Sequence, residues 1–277
     1  MRRTIIAALV AVSALGIAGC KQAANHNAAE SATNESAAGT ASIDGTWKTD
    51  TSTVQLNAKP DQYLLKDGQF SCPTCTPPLT VAADGALHAV TGRPYADKIS
   101  VKVDDAQNVS RTSEKGGKTT GTSKYSVSPD GKTLTVSFTD TSGTKPVSGN
   151  YTETRVAPAP GGAHAISGSW KQDKINSVSD EGLTVTFQLN GDTLHMSTPT
   201  GQSYDAKLDG TDTPIKGDMG GTTASVTRSG DSFVESDKRD GKVISVTTLT
   251  PGADGTMQAT NEDKQNGSTV KFTMKKQ

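Results

Sequence analysis

Aromatic side chains are scarce in this chain: Phe, Trp and Tyr make up 4% of its 277 residues. Leu, Ile, Val and Phe together supply about a sixth of the sequence, less than the ~20% below which disorder is suspected. That suspicion also requires a large net charge, and the formal net charge here is -1. The chain can therefore fold, but with little apolar core to spare. Lysines and arginines are mixed with acids along the chain, so no basic face invites nucleic acid. Also missing are a Gly-x-Ser-x-Gly elbow, a Ser-x-x-Lys, a His-Glu-x-x-His and a phosphate-cradling loop. Of the four histidines, His26 and His164 fall in segments without strand pattern, and His88 and His195 stand in strands or turns. None is paired in sequence with a nucleophile. Asp84, Asp130, Asp209 and Asp254 each precede glycine, where forming a turn is their ordinary role. No catalytic, cofactor-binding or metal-ligating residue is expected, and no enzyme activity.

A single long apolar run exists, residues 5–17, after Arg2-Arg3. It is well short of the ~20 residues that span a bilayer. It ends in Ile17-Ala18-Gly19-Cys20, which is the order of an export signal. The tetrad resembles the lipobox of bacterial lipoproteins. That resemblance implies removal of residues 1–19 and lipidation of Cys20, which would tie the protein to a membrane. Each buried methylene of an acyl chain contributes ~0.8 kcal/mol, so two or three chains anchor stably. By the same resemblance Lys21, which is not aspartate, implies passage to the outer membrane on the periplasmic side. Residues 20–42 are rich in Ala, Asn, Ser, Thr and Glu and cannot bury enough surface to fold. They read as a flexible tether with a reach of roughly 25 Å.

Beyond it the sequence repeats. Ile43-Asp44-Gly45-Thr46-Trp47-Lys48 returns as Ile166-Ser167-Gly168-Ser169-Trp170-Lys171. Asp84-Gly85 is matched by Asp209-Gly210, Gly117-Lys118 by Gly241-Lys242, and Asp130-Gly131 by Asp254-Gly255. Ordered landmarks at a nearly constant offset predict two copies of one unit, residues 43–156 and 166–277. A Pro/Gly linker, residues 157–165, separates them.

Within each copy the signal is β. Leu183-Thr184-Val185-Thr186-Phe187-Gln188-Leu189 and Leu134-Thr135-Val136-Ser137-Phe138 alternate apolar and polar residues. Asn190-Gly191-Asp192, Pro129-Asp130-Gly131, Arg239-Asp240-Gly241 and Glu114-Lys115-Gly116-Gly117 supply hairpin turns. No 3.6-residue stripe is sustained outside the leader. The expected fold is all-β: two tandem antiparallel meanders of seven to ten strands, each closing as a small barrel or sandwich.

Gly45-Thr46-Trp47 and Gly168-Ser169-Trp170 resemble the Gly-x-Trp that opens the first strand of lipocalins, where the indole plugs the closed end. The resemblance implies that each Trp packs against a basic residue of a last strand. Arg155 and Lys276 stand at the corresponding places in the two repeats, making Trp47, Trp170, Arg155 and Lys276 structural anchors. The copies are shorter than a lipocalin and lack its Thr-Asp-Tyr element. A Trp buried at a strand start is equally a simple core anchor. The whole chain also resembles uncharacterised bacterial envelope lipoproteins that carry a Cys-Pro-x-Cys segment followed by prolines, a family that brings no activity with it.

Cys72-Pro73-Thr74-Cys75 holds the other two cysteines. A thioredoxin-like dithiol needs a helix N-terminus to stabilise its thiolate, and Pro77-Pro78 directly after it oppose a helix. Zinc needs four ligands, and no second Cys-x-x-Cys exists. A small structural disulfide remains, of a kind an oxidising compartment permits. The combined expectation is an envelope-anchored, non-catalytic module that binds a small amphiphile or lipid, with the membrane as partner through Cys20. The alternatives are a structural or protein-interaction spacer and a redox protein using Cys72 and Cys75.

Overall fold

The computed structural model describes residues 41–277. The leader, the lipidation expected at Cys20 and nearly all of the tether, His26 included, lie outside them. The first half of the described chain forms β1 (Gly45–Asn57), β2 (Asp61–Lys66), β3 (Gln69–Cys72), β4 (Leu79–Ala82), β5 (His88–Ala89), β6 (Lys98–Val103), β7 (Asn108–Lys115), β8 (Lys118–Val127), β9 (Thr133–Asp140) and β10 (Val147–Ala157). The second half forms β11 (Gly168–Val178), β12 (Thr184–Asn190), β13 (Thr193–Ser197), β14 (Ser203–Lys207), β15 (Thr213–Pro214), β16 (Thr223–Ser229), β17 (Ser232–Arg239), β18 (Lys242–Pro251), β19 (Thr256–Asp263) and β20 (Thr269–Lys276). A 3-10 turn at Asp180–Gly182 interrupts them. No helix among the described residues is long and apolar enough to cross a membrane.

The predicted alternation fixes which face is buried. In β9, Leu134, Val136 and Phe138 are buried while the residues between them are not. In β12, Val185 and Phe187 are buried and Gln188 is exposed. The turns take the conformations that their glycines permit. Asp240 and Gly241 both have positive φ, 51° and 72°, as a two-residue type I′ hairpin requires.

The strands form two ten-stranded antiparallel sheets with identical order. The first runs β4-β3-β2-β11-β10-β9-β8-β7-β6-β5, and the second β14-β13-β12-β1-β20-β19-β18-β17-β16-β15. Each curls until its ends meet. In the first, Gly85 N–H donates to Val101 C=O at 2.9 Å; in the second, Gly210 N–H donates to Val226 C=O at 2.9 Å. Closure leaves few strand edges open to other chains. Each sheet is thus a small barrel around its own apolar cluster.

The two halves exchange their first strands. β1 is hydrogen-bonded between β12 and β20 in the second barrel, and β11 lies between β2 and β10 in the first. The segments expected as contiguous units, 43–156 and 166–277, therefore each supply nine strands to one barrel and one to the other. Near-identity makes this permissible: Gly-Thr-Trp-Lys and Gly-Ser-Trp-Lys present the same side chains to either slot. Only residues 58–60 separate β1 from β2 in the opposite sheet, and β1 and β11 run against one another where they cross.

The exchange also decides which cation meets which indole. Trp47 stands directly across from Lys276, whose Nζ is 5.6 Å from the ring centroid. Trp170 stands across from Arg155, whose guanidinium carbon is 3.9 Å from the ring. Each Trp is thus paired with the last strand of the other half. Both indoles are fully buried, and each N–H donates to a carbonyl four residues earlier, Ile43 at 2.7 Å and Ile166 at 2.8 Å. Arg155 donates further to the carbonyls of Gly131, Ser167 and Ala165 at 2.5, 2.5 and 2.7 Å. It therefore ties the β8–β9 turn and the segment before β11 to the indole.

Candidate functional site

Large apolar side chains pack much of each barrel interior. Trp170, Phe70, Leu134 and Ile99 pack in one, and Trp47, Phe187, Tyr204 and Met257 in the other, all essentially inaccessible to solvent. The room for a ligand lies between the barrels. A cavity of about 670 Å³ is lined by both halves, with Ala96, Arg111 and Thr120 on one wall and Met196, Glu235 and Asp237 on the other. Part of its lining is apolar, including Val147, Ile215 and Ile244.

Two contacts hold the walls together. At the first, the Tyr95 hydroxyl donates to Asp218 Oδ1 at 2.7 Å and accepts from Arg239 at 3.0 Å. The Arg239 guanidinium lies 5.2 Å from the Tyr95 ring and also donates to Thr222 Oγ1 and Gly220 C=O. A Cβ on Gly220 would come within 2.7 Å of the Tyr95 ring, so a side chain there would force the barrels apart. Lys115 reaches from the first half to the Met219 carbonyl at 3.0 Å. At the second contact, Thr144 N–H donates to Thr200 C=O at 2.8 Å. A Cβ on the neighbouring Gly143 would sit 2.6 Å from that carbonyl oxygen.

Charge is buried on both walls, at matching positions of the two sheets. On β7, Arg111 lies opposite Val101 and Ser123; on β17, Glu235 lies opposite Val226 and Thr247. Arg111 is 5% exposed, and its charge opposes the upward push that burial gives the Tyr125 hydroxyl. Glu235 and Asp237 are 3% and 8% exposed. Glu235 Oε2 accepts from the Tyr204 hydroxyl at 2.6 Å, and Asp237 Oδ2 accepts from Ser245 at 3.0 Å. Glu235 Oε1 and Asp237 Oδ1 find no N–H or O–H donor on any other residue. The two carboxyls, two residues apart on one strand face, each act on the ionisation of the other. Burial, then the neighbouring Asp237 charge, pushes the Glu235 carboxyl well above the usual range. Burial raises Asp237 to about 7.

Cys72 and Cys75 are joined by a disulfide across a short turn. Cys72 is inaccessible to solvent. The loop that follows is held by Arg93, which donates to the carbonyls of Pro77 and Pro78. Thr76, Pro77 and Arg93 stand at the cavity rim. The two strand histidines lie elsewhere. His88 contacts Asp84 at 2.8 Å and His195 contacts Asp205 at 2.7 Å, at exposed positions. Each histidine hydrogen bond holds its carboxylate below the usual range. His164 caps the first barrel's outside through the Asp105 carbonyl at 2.6 Å. Asp84, Asp130, Asp209 and Asp254 each accept a backbone N–H two residues on, as turn formers do. Among the described residues, no group of three or more His, Cys, Asp or Glu side chains could hold a metal ion.

The pattern of buried charge was open to a closer sequence reading. In Phe233-Val234-Glu235-Ser236-Asp237, strand alternation puts both acids in phase with Phe233 and so on the inward face. The same phase places Arg111 with Val109. What alternation could not indicate is that a second barrel faces them.

The protein is thus an all-β, double-barrel chain with a partly open cavity of mixed polar and apolar lining. No protein-family model matches it, and no curated protein does. One similar solved structure is the vaccine antigen Transferrin Binding Protein B from Haemophilus parasuis Hp5, as a Tyr-167-Ala and Trp-176-Ala double mutant. The identity is 11% and the TM-score 0.16, over 80% of this chain. This chain spans 44% of that protein.

Proposed function

We propose that this is a non-catalytic binding module of the bacterial envelope, tethered through a lipidated Cys20, that holds a small amphiphile between its two barrels. The observation carrying the reading is the cavity of about 670 Å³, whose walls combine apolar side chains with buried charge. Amphiphiles need both surfaces, and ligand sites favour such junctions between domains. The strands that cross between barrels and the Tyr95 and Thr144 contacts keep the walls at a fixed spacing, so little ordering is needed on binding. The anchor and its outer-membrane, periplasm-facing location rest on the lipobox resemblance and Lys21.

The spacer reading is favoured by one feature, the packed barrel interiors, which make a stiff body with or without a ligand. Redox work at Cys72 and Cys75 is disfavoured because the pair stands at the end of β3 and in the turn after it, with no helix N-terminus to stabilise a thiolate. Native mass spectrometry after gentle extraction of the intact lipoprotein separates binding module from spacer. A reproducible co-purifying small molecule is the expected result. A bare chain in repeated preparations, with no uptake of added amphiphiles, refutes the binding module.

A further inference from the structure

We propose that the second barrel's wall of the cavity is a cation subsite, in which the primary amine or guanidinium of a small amphiphile seats on Glu235 and Asp237. The inference rests on the binding-module reading and adds the chemical class of the ligand head.

Glu235 Oε2 and Asp237 Oδ2 are satisfied by Tyr204 and Ser245, while Oε1 and Oδ1 receive no donor from any other residue. Both side chains are more than nine-tenths buried and both line the cavity. Two carboxyl groups in this position either share a proton or carry uncompensated buried charge, which is costly. An ammonium brings three donors and one positive charge, and so replaces the proton while satisfying both oxygens. The charged and titratable groups around the pair leave that role open. Arg239, next along β17, is committed to the Tyr95 contact by bonds to Tyr95, Thr222 and Gly220. Asp218 is held by Tyr95 and by Thr222 N–H. Asp263 on β19 accepts from Gln265 and Asn266. Tyr204 on β14 already donates to Glu235. Arg111 on the facing wall repels a cation, which directs the amine to the acidic side and the chain away from it.

The test is isothermal titration of the full chain in lipid nanodiscs, with the heat of empty nanodiscs subtracted. The probes are hexylamine, hexanol and hexanoate, which share one tail and differ in head. Hexylamine is expected to bind at least tenfold more tightly than either partner at pH 8, with proton release visible as a buffer-dependent heat. Glu235→Gln and Asp237→Asn keep the shape and are each expected to erase that preference. Circular dichroism establishes that each variant is folded, and either one suffices for the comparison. Equal affinity for hexylamine and hexanol, or a preference untouched in both variants, overturns the cation subsite while leaving the binding module in place. No uptake of any probe overturns both.

Discussion

Replacing Asp237 with Asn tests the buried acid pair directly, because the pair makes stability depend on pH in an unusual direction. Asp237 is raised from an ordinary value near 3.8 to about 7, chiefly by burial. Between those limits the folded chain binds a proton at Asp237 that the unfolded chain has lost. Stability from this group is therefore complete below about pH 4, declines as pH rises through the window, and is gone above about pH 7. The slope for one proton is ~1.4 kcal/mol per pH unit in mid-window and halves by pH 7, so about 2 kcal/mol disappears between pH 5 and pH 7. Glu235, raised in the same direction, acts in the same sense. Surface carboxylates do not mimic this. Asp50 is lowered to about 2, first by its hydrogen bond from Lys275 and then by Ser52, so its contribution is lost only as pH falls through the acid range, outside the window. Urea unfolding of the full chain carrying Cys20→Ala, followed by tryptophan fluorescence at pH 5, 6, 7 and 8, provides the measurement. The Asp237→Asn variant should show a visibly flatter profile, and the double variant with Glu235→Gln a flatter one still. A parent protein as stable at pH 7 as at pH 5, or a variant whose profile parallels the parent's, would refute the argument.

The strand exchange predicts that residues 43–156 and 157–277, expressed together as separate chains, form a one-to-one complex in native mass spectrometry. Each half carries the strand that completes the other's barrel, and halves that remain separate monomers would contradict the exchange. Arg155→Leu removes three hydrogen bonds to carbonyls and the cation over Trp170, for a loss of roughly 2 to 4 kcal/mol. Because the pairing is crosswise, it should shift the emission of Trp170, measured with Trp47→Phe, and leave that of Trp47, measured with Trp170→Phe, unchanged. Replacing Cys72 and Cys75 with alanine opens a four-residue loop, so the loop-entropy relation gives a loss of only about 2 kcal/mol. A much larger drop in the urea midpoint would mean that the disulfide organises the cavity rim as well as its own turn.

Strand content and turn positions were legible because they depend on local chemistry: alternating apolar residues in β9 and β12, and glycines where φ must be positive. The two-barrel plan followed from the repeated landmarks. The exchange was not legible, for a reason contained in the repeat itself. When Gly45-Thr46-Trp47-Lys48 and Gly168-Ser169-Trp170-Lys171 are interchangeable, neither strand's sequence states a preference for its own half or the other. The choice then falls to the connections. Three residues link β1 to β2, and a 3-10 turn at Asp180–Gly182 lies between β11 and β12. Their geometry is set by the packing of both barrels at once.

The same repeat also limits where a ligand can sit. Small inward residues do leave room when counted one strand at a time, but the exchanged indoles and Phe70, Phe187 and Tyr204 take that room up. Space remains between the two barrels, a feature of how the halves face each other that no one half encodes. Had both repeats carried the same inward charge, that junction would set like against like. Arg111 on one wall and Glu235 with Asp237 on the other, at matching register positions, instead give the cavity one basic and one acid wall, so its two sides offer different chemistry to a ligand. The divergence of these two positions is therefore what gives the common space two unlike walls, and it is there that the copies stop being interchangeable.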